Sequence, residues 1–223
     1  MSDGVSRLVQ VMDRLRSPGG CPWDADQTHA SLAPYALEET YELLEAIESG
    51  DRTDLREELG DVLLQVVFHA RVAQEHPDAP FDLNDIAHGI ADKLVERHPH
   101  VFGEVEAGSL EDLHARWERI KKETKARESV MDGIPVAQPA LARAQKVISR
   151  ASRAGLEVRD EAGVGLGQQL FALVARAQAE GVDAEAALRE ATRAYESAAR
   201  EAESASAGSE PVTEGSPTRD LGR

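Results

Sequence analysis

The apolar residues of this chain recur every three or four positions, which is the spacing of one face of an α-helix. Over residues 5–16 this spacing predicts a first helix, which "SPGG" ends. It predicts two longer helices, from Tyr35 to about Ser49 and from about Thr53 to Glu75, separated only by "SGD". Because the connection is so short, these two helices are predicted to form an antiparallel hairpin.

The remaining segments follow the same pattern, so the expected fold is all-α: a helical bundle built on an acidic antiparallel hairpin. The stretch "CPWDADQTHASLAP" reads as a loop, and "FDLNDIAHGIADKLVERH" as a third helix capped by Asp82 or Asn84. After the loop "HPHVFGEVEAGS", a helix is predicted from Ser109 to about Glu128. The Gly/Pro segment "SVMDGIPVAQP" then precedes a basic helix over 140–154.

Composition limits the partners of the protein. The 223 residues include 25 Lys and Arg against 41 Asp and Glu, a formal charge of −16. A polyanion such as nucleic acid would be repelled by this charge, so it is not an expected partner. If the ligand is nonetheless anionic, a divalent metal must supply the attraction.

Cysteine content and hydropathy point to a cytoplasmic protein. Cys21 is the only cysteine, so no internal disulfide is expected. The N-terminal segment is amphipathic without an apolar signal core, and no run of about 18 apolar residues is present. We therefore expect no contact with membranes.

The acids of the hairpin differ in the direction in which they point. A helix advances about 100° per residue, which places Glu39 on the apolar side of its helix and Glu42 at the edge of that side. On the next helix the predicted apolar arc is centred on Leu59, and Glu58 and Asp61 flank it with Gln65 between them. The other members of this arc are Leu55, Val62, Leu63, Val66 and Ala70. Two acids from each of two paired helices would therefore surround one space.

The acids of the hairpin allow two interpretations. A single Glu pair on a helix is usually a solvated face, and Glu48 and Glu57 fit that interpretation. Four clustered carboxylates are different, because like charges so close cannot all stay ionised unless cations neutralise them. An oxygen-only set suits Mg²⁺, or Mn²⁺ as a substitute, better than zinc. A di-iron site would need two Glu-x-x-His motifs, and the chain has only Glu111 with His114.

A candidate internal sequence repeat bears on the role of the same acids. The segment "LGDVLLQVVFHARV" at 59–72 resembles "LGQQLFALVARAQA" at 166–179. In this register Glu58 corresponds to Gly165 and Asp61 to Gln168. The second copy keeps the apolar face and loses both acids, which gives some weight to a purely structural role for them.

The motifs "EETYE" and "EELGD" match the Glu-Glu-x-x-Glu and Glu-x-x-Asp signature of the all-α nucleoside triphosphate pyrophosphohydrolases. "CPWDADQTHASLAPYALEE", "VVFHARV", "HPHVFG", "WERIKKE" and "IPVAQPALARAQKVISRASRAGLE" resemble the MazG branch in particular. The resemblance runs in order from about Leu8 to Gly155. It implies a homodimeric hydrolase that converts nucleoside triphosphates to monophosphates and pyrophosphate, as house-cleaning of the nucleotide pool; it leaves alarmone control, base preference and the attacked phosphorus open.

The resemblance also implies roles for individual residues. The Mg²⁺ ligands would be Glu39, Glu42, Glu58 and Asp61. One carboxylate, Glu38 or Glu42, would accept the proton of the attacking water. Lys93 and Arg97, one helical turn apart, would contact phosphate oxygens, although by themselves they read as a solvated pair. Trp23, Asp24 and Gln27 would line a base pocket, with a lid or a dimer contact as the alternative.

These expectations divide the chain into four parts. Residues 1–130 form a MazG-like catalytic domain, and 131–155 a linker with the basic helix. Residues 156–202 form a degenerate, truncated second repeat, and 203–223 a disordered tail. The alternative to an enzyme is a catalytically weak helical dimer that binds nucleotides or a partner protein.

Overall fold

A computed structural model describes residues 2–105, 108–109, 112–113, 116, 128–158 and 165–207. The chain divides into two compact units, Met1–Thr124 and Lys125–Arg223. All regular elements of the described residues are helices, so the predicted all-α class is confirmed. Most of the helix predicted from Ser109 to Glu128 lies outside the described residues, as do Glu111 and His114.

Six described helices belong to the first unit and three to the second. The first six are α1 (Ser2–Arg16), α2 (Pro22–Asp26), α3 (His29–Ser49), α4 (Arg52–Ala73), α5 (Leu83–Arg97) and α6 (Pro99–Phe102). The other three are α7 (Ala140–Arg153), α8 (Leu166–Ala179) and α9 (Ala184–Ala207). None of the helices in the described ranges is both long enough and apolar enough to cross a membrane.

Helix α3 begins earlier than its apolar pattern predicts, so the predicted start at Tyr35 is wrong. Thr28 and Ser31 form a reciprocal capping box: each side-chain oxygen accepts a hydrogen bond from the backbone N–H of the other, at 3.2 and 2.9 Å. Pro34 therefore lies inside the helix, where it lacks the N–H of an ordinary residue. The helix ends at Gly50, whose φ of 75° is the left-handed conformation that glycine adopts freely.

Helices α4 and α5 begin at aspartate caps. The Asp51 carboxylate accepts from the backbone N–H of Thr53 at 2.6 Å, and α4 starts immediately after it. Asp82 caps α5 through a capping box with Asp85, which decides between the two predicted caps. The antiparallel pairing of α3 and α4 follows from the two-residue connection and is the largest helix contact of this unit.

The core of the first unit lies between α1, α3 and α4 and is formed by Met12, Leu32, Val67 and Phe68. The predicted apolar arc of α4 was centred on Leu59, and this part of the prediction is wrong. Leu59, Leu63 and Val66 are exposed, and the buried face is rotated towards Val67 and Phe68. The rotation follows from the positions of α1 and α3, since periodicity alone does not say which part of a broad apolar face is covered.

A buried arginine fixes the segment between α1 and α3. The Arg16 side chain is only 6% exposed and forms an ion pair with Glu75 at 2.8 Å. Its Nη1 donates to the carbonyl oxygens of Asp24 and Gln27, at 2.7 and 2.8 Å. These bonds hold α2 against the end of α4, although the sequence predicted only a loop there.

The second unit packs α7 against α8 and α9. The Gln145 amide donates to the Val182 carbonyl and accepts from the Ala184 N–H, which ties α7 to the turn before α9. Val174 is the buried residue of α8. Helix α9 continues to Ala207, past the predicted start of the tail at residue 203; residues 208–223 lie outside the described part.

Candidate metal centre

Three of the predicted carboxylates meet between α3 and α4. Glu39 belongs to α3, whereas Glu58 and Asp61 lie three residues apart on α4. One oxygen from each of the three lies within 4.8 Å of the other two, and all three residues are half-buried. The antiparallel hairpin thus brings acids together that are about twenty residues apart in sequence.

The electrostatics of this group are unfavourable when all members are ionised. Partial burial raises the pKa of Glu39, and the negative charges of Asp61 and Glu42 raise it further. The pKa of Glu58 is also raised, again first by burial and then by Glu42 and Asp61. Carboxylates gathered in this way require a compensating cation or a proton.

Glu42 and Glu38 take different positions around this group. Glu42 is exposed and lies outside the three-residue set, yet it is close enough to raise the pKa of both Glu39 and Glu58. Glu38 is exposed on the outer side of α3 and is not among the charges that act on these two groups. Of the two predicted proton acceptors, Glu42 is therefore the one beside the cluster.

The side chains fit a hard divalent cation. The donor set consists entirely of carboxylate oxygens, the ligands that Mg²⁺ and Mn²⁺ prefer. One Glu58 oxygen, Oε2, is buried and has no hydrogen-bond partner. A buried carboxylate oxygen without a donor is costly, and a cation in this space would satisfy it.

An aromatic cluster lies beside the carboxylates. Tyr35 precedes Glu39 by one turn of α3, and Phe68 follows Asp61 by about two turns of α4. The Trp23 ring packs edge-on against both, at centroid distances of 6.0 Å to Tyr35 and 6.4 Å to Phe68. Because Trp23 remains 52% exposed, it offers an accessible aromatic surface.

Gln27 and Asp24, predicted to line a base pocket with Trp23, form different hydrogen bonds. The Gln27 amide donates to the Trp23 carbonyl at 3.0 Å and accepts from the Ser31 hydroxyl at 2.7 Å. It therefore fixes the chain around Trp23. Asp24 contributes its backbone carbonyl to the Arg16 anchor and is half-buried.

Lys93 and Arg97 lie one turn apart near the end of α5, as their spacing predicts. Lys93 is exposed, and Arg97 is half-buried with its Nε buried and without a partner. Among the described residues, neither forms an ion pair with the carboxylate group.

Sequence reasoning gave no role to two features of this unit. The His29 and His69 rings stack with their Nδ1 atoms 2.7 Å apart, which joins the start of α3 to the end of α4. Burial lowers the pKa of His69, and the nearby His29 lowers it further. Gln65 is buried on α4 between the acids and Phe68; its helical direction was visible in the sequence, but its burial was not.

Comparison with known proteins agrees with this geometry. Residues 27–102 match the MazG nucleotide pyrophosphohydrolase domain. The chain is 54% identical over 190 residues to an uncharacterised 26.1 kDa protein from the blaB 3′ region of Streptomyces cacaoi, covering 84% of this chain and 78% of that protein. It is 52% identical to the nucleoside triphosphate pyrophosphohydrolase of Escherichia coli K12, over 69% of this chain and 59% of that protein. It is 40% identical to the nucleoside triphosphate pyrophosphohydrolase/pyrophosphatase MazG of Thermotoga maritima, covering 84% and 81% of the two chains.

The helical fold and the hairpin of carboxylates are therefore those of an all-α nucleotide hydrolase. The chain belongs to the MazG family of nucleotide pyrophosphohydrolases. It spans 59% of the length of the Escherichia coli relative, so that protein's reaction is carried to this chain only as a proposal.

Proposed function

We propose that this protein hydrolyses nucleoside triphosphates to nucleoside monophosphates and pyrophosphate in a Mg²⁺-dependent reaction, as house-cleaning of the nucleotide pool. The observation that carries the proposal is the meeting of Glu39, Glu58 and Asp61 between α3 and α4. Membership of the MazG family supports the same reaction. Action on alarmones is a further possibility that the same assay tests.

Glu39, Glu58 and Asp61 would hold the metal, with Glu42 as a fourth ligand from the rim. When bound, Mg²⁺ supplies charge neutralisation for the triphosphate and lowers the pKa of a coordinated water. The half-buried position of the three carboxylates reduces competition from solvent, which strengthens their attraction for a cation.

The proton of the attacking water would pass to a carboxylate beside the cluster. Glu42 is the better candidate because it is exposed and acts electrostatically on Glu39 and Glu58. Lys93 and Arg97 would stabilise the charge of the departing pyrophosphate. The unpartnered Nε of Arg97 supports this role, since a buried guanidinium N–H requires an acceptor.

The nucleoside would lie towards the aromatic cluster. The exposed ring of Trp23 is suited to stacking on a nucleobase, with Gln27 holding the loop and Asp24 beside it. We further propose a homodimer, because Leu59, Leu63 and Val66 form an exposed apolar stripe on α4. Residues 156–202 are proposed to be a degenerate second repeat that serves packing rather than chemistry.

The proposal is tested by measuring pyrophosphate release from a panel of nucleoside triphosphates and guanosine tetraphosphate, with Mg²⁺ and with EDTA. The Glu39→Ala, Glu58→Ala double variant is expected to lose at least about a hundredfold in rate, since even outer-shell changes at metal sites cost 10–100-fold. The matched control is Glu45→Ala, Glu57→Ala, which removes one exposed carboxylate from each of the same helices. A wild type without pyrophosphate release, or equal rates in the two double variants, would defeat the enzyme and favour a binding protein.

A further inference from the structure

Gln65 is a buried polar side chain with an unsatisfied oxygen. The residue is 9% exposed, and its Oε1 is buried without a hydrogen-bond partner. A buried amide with an unmade hydrogen bond is destabilising, whereas an apolar side chain of the same size avoids that desolvation penalty. The position therefore calls for an explanation other than packing.

The sequence similarity between α4 and α8 shows which residues are absent from α8 together with Gln65. In the register that pairs Leu59 with Leu166, Gln65 corresponds to Ala172. The copy without the acids is thus also without the amide, while Val67 and its counterpart Val174 are both retained and buried. The Gln65 amide is therefore absent where the carboxylates are absent, although the buried valine of the core is present in both helices.

The position of Gln65 along the hairpin suggests what it contacts. Gln65 follows Asp61 by about 6 Å of helix rise and precedes Phe68 by about 4.5 Å. The acids that would hold the triphosphate lie on one side of it, and Phe68, the buried ring against which the exposed Trp23 packs, lies on the other. In a nucleotide the sugar separates the phosphates from the base by similar lengths, so the amide lies at the level of the sugar.

From this placement we infer that the Gln65 amide binds a hydroxyl group of the nucleotide sugar and sets the selectivity between ribose and deoxyribose substrates. The inference rests on the proposed function, because it takes the acids as the phosphate end of the site. The sugar hydroxyl donates a hydrogen bond to the carbonyl oxygen Oε1, which satisfies the buried acceptor. A substrate without that hydroxyl leaves the acceptor unpaired and is turned over less well.

The experiment compares wild type with Gln65→Met, which keeps the length of the side chain and removes its polar atoms. The substrates are the preferred nucleoside triphosphate and its 2′-deoxy, 3′-deoxy and 2′,3′-dideoxy forms, with kcat/KM measured for each. We expect Gln65→Met to lose about tenfold or more on the hydroxyl-bearing substrate, the size of one buried hydrogen bond, and to change little on the dideoxy form. Gln74→Met, an exposed Gln at the end of the same helix, is the matched control.

The outcomes separate this inference from its alternatives. An equal loss on all four substrates would overturn it and would indicate a role near the metal or in the core; a thermal melt then distinguishes those two. A ratio of kcat/KM between the ribose and 2′-deoxy substrates that Gln65→Met leaves unchanged would also overturn it while leaving the proposed function intact. If wild type releases no pyrophosphate, the proposed function fails, and calorimetric binding of nucleoside 5′-monophosphates with and without sugar hydroxyls still decides the role of Gln65.

Discussion

Helices α4 and α8 carry the same apolar pattern in two different units. Val67 and Val174 stand at equivalent positions and are each 2% exposed. The stripe of Leu59, Leu63 and Val66 on α4 is exposed, and so is the equivalent stripe on α8, formed by Leu166, Leu170 and Leu173. The two helices thus bury and expose equivalent positions, although they pack against different neighbouring helices.

The polar residues of the two helices differ completely. Helix α4 places Glu58 and Asp61 opposite Glu39 on α3. At those positions stand Gly165, the N-cap of α8, and Gln168, and α7, the main packing partner of α8, carries no Asp or Glu. The apolar positions are therefore sufficient to place the helix, and the carboxylates are a separate feature of α4.

The largest expected effect comes from making α4 resemble α8. Glu58→Gln with Asp61→Gln should lower pyrophosphate release by at least about a hundredfold, because two of the proposed metal ligands are lost. The melting temperature should stay equal or rise, since the change removes the repulsion that raises the pKa of Glu39. Adding Gly165→Glu and Gln168→Asp to the same variant should restore nothing, because α7 offers no opposing acid. Restored activity would show that α8 alone can build the site.

The second expected effect contrasts an arginine from each unit. Arg16→Met should lower the free energy of unfolding by about 2–3 kcal/mol, because two carbonyl oxygens and a carboxylate lose their buried donor. Arg176→Met on α8 should change it by less than about 0.5 kcal/mol, because its side chain is 70% exposed and 3.8 Å from Glu180. Urea denaturation followed by circular dichroism measures both. Equal effects would mean that the Arg16 bonds do not hold the first unit together.

The third effect is stabilisation by metal. At a Mg²⁺ concentration ten times its dissociation constant, wild type should gain about 1.4 kcal/mol of stability, because the ion binds the folded hairpin alone. The Glu58→Gln, Asp61→Gln variant should gain nothing, and EDTA should reverse the gain of wild type. Differential scanning fluorimetry across a Mg²⁺ and Mn²⁺ titration gives the result. The same shift in both proteins would place the ion elsewhere.

The smallest effect is a dependence of stability on pH. The hydrogen bond from Arg16, with the charges of Arg16 and Arg71, lowers the pKa of Glu75 below its ordinary value. A carboxylate of this kind stabilises the fold above its unfolded-state pKa and loses that contribution as the pH falls through its folded-state pKa. Wild type should therefore lose up to about 1 kcal/mol more than Glu75→Gln between about pH 5 and pH 3, a modest amount because Glu75 is 44% exposed. Parallel pH profiles for the two proteins would contradict this assignment.

Local signals in the sequence were sufficient for part of this structure. A cap at Asp82 or Asn84, the helix over 140–154 and the antiparallel hairpin follow from capping, spacing and short connections, which act within a few residues. The start of α3 was misjudged because Pro34 reads as a breaker, and only the capping box between Thr28 and Ser31 places it inside the helix. The helical direction of the acids was also predictable, since it depends only on the 3.6-residue period.

The sequence by itself determined the helical class, the helical directions of Glu39, Glu58 and Asp61, and the resemblance to a family. Tertiary packing decided the rest. It selected Val67 and Phe68 as the buried face of α4 and brought Trp23 against that face through the Arg16 anchor. It also buried Gln65 without a partner for its oxygen. These features depend on contacts between residues distant in sequence, and helical periodicity carries no information about which neighbour will cover a given face.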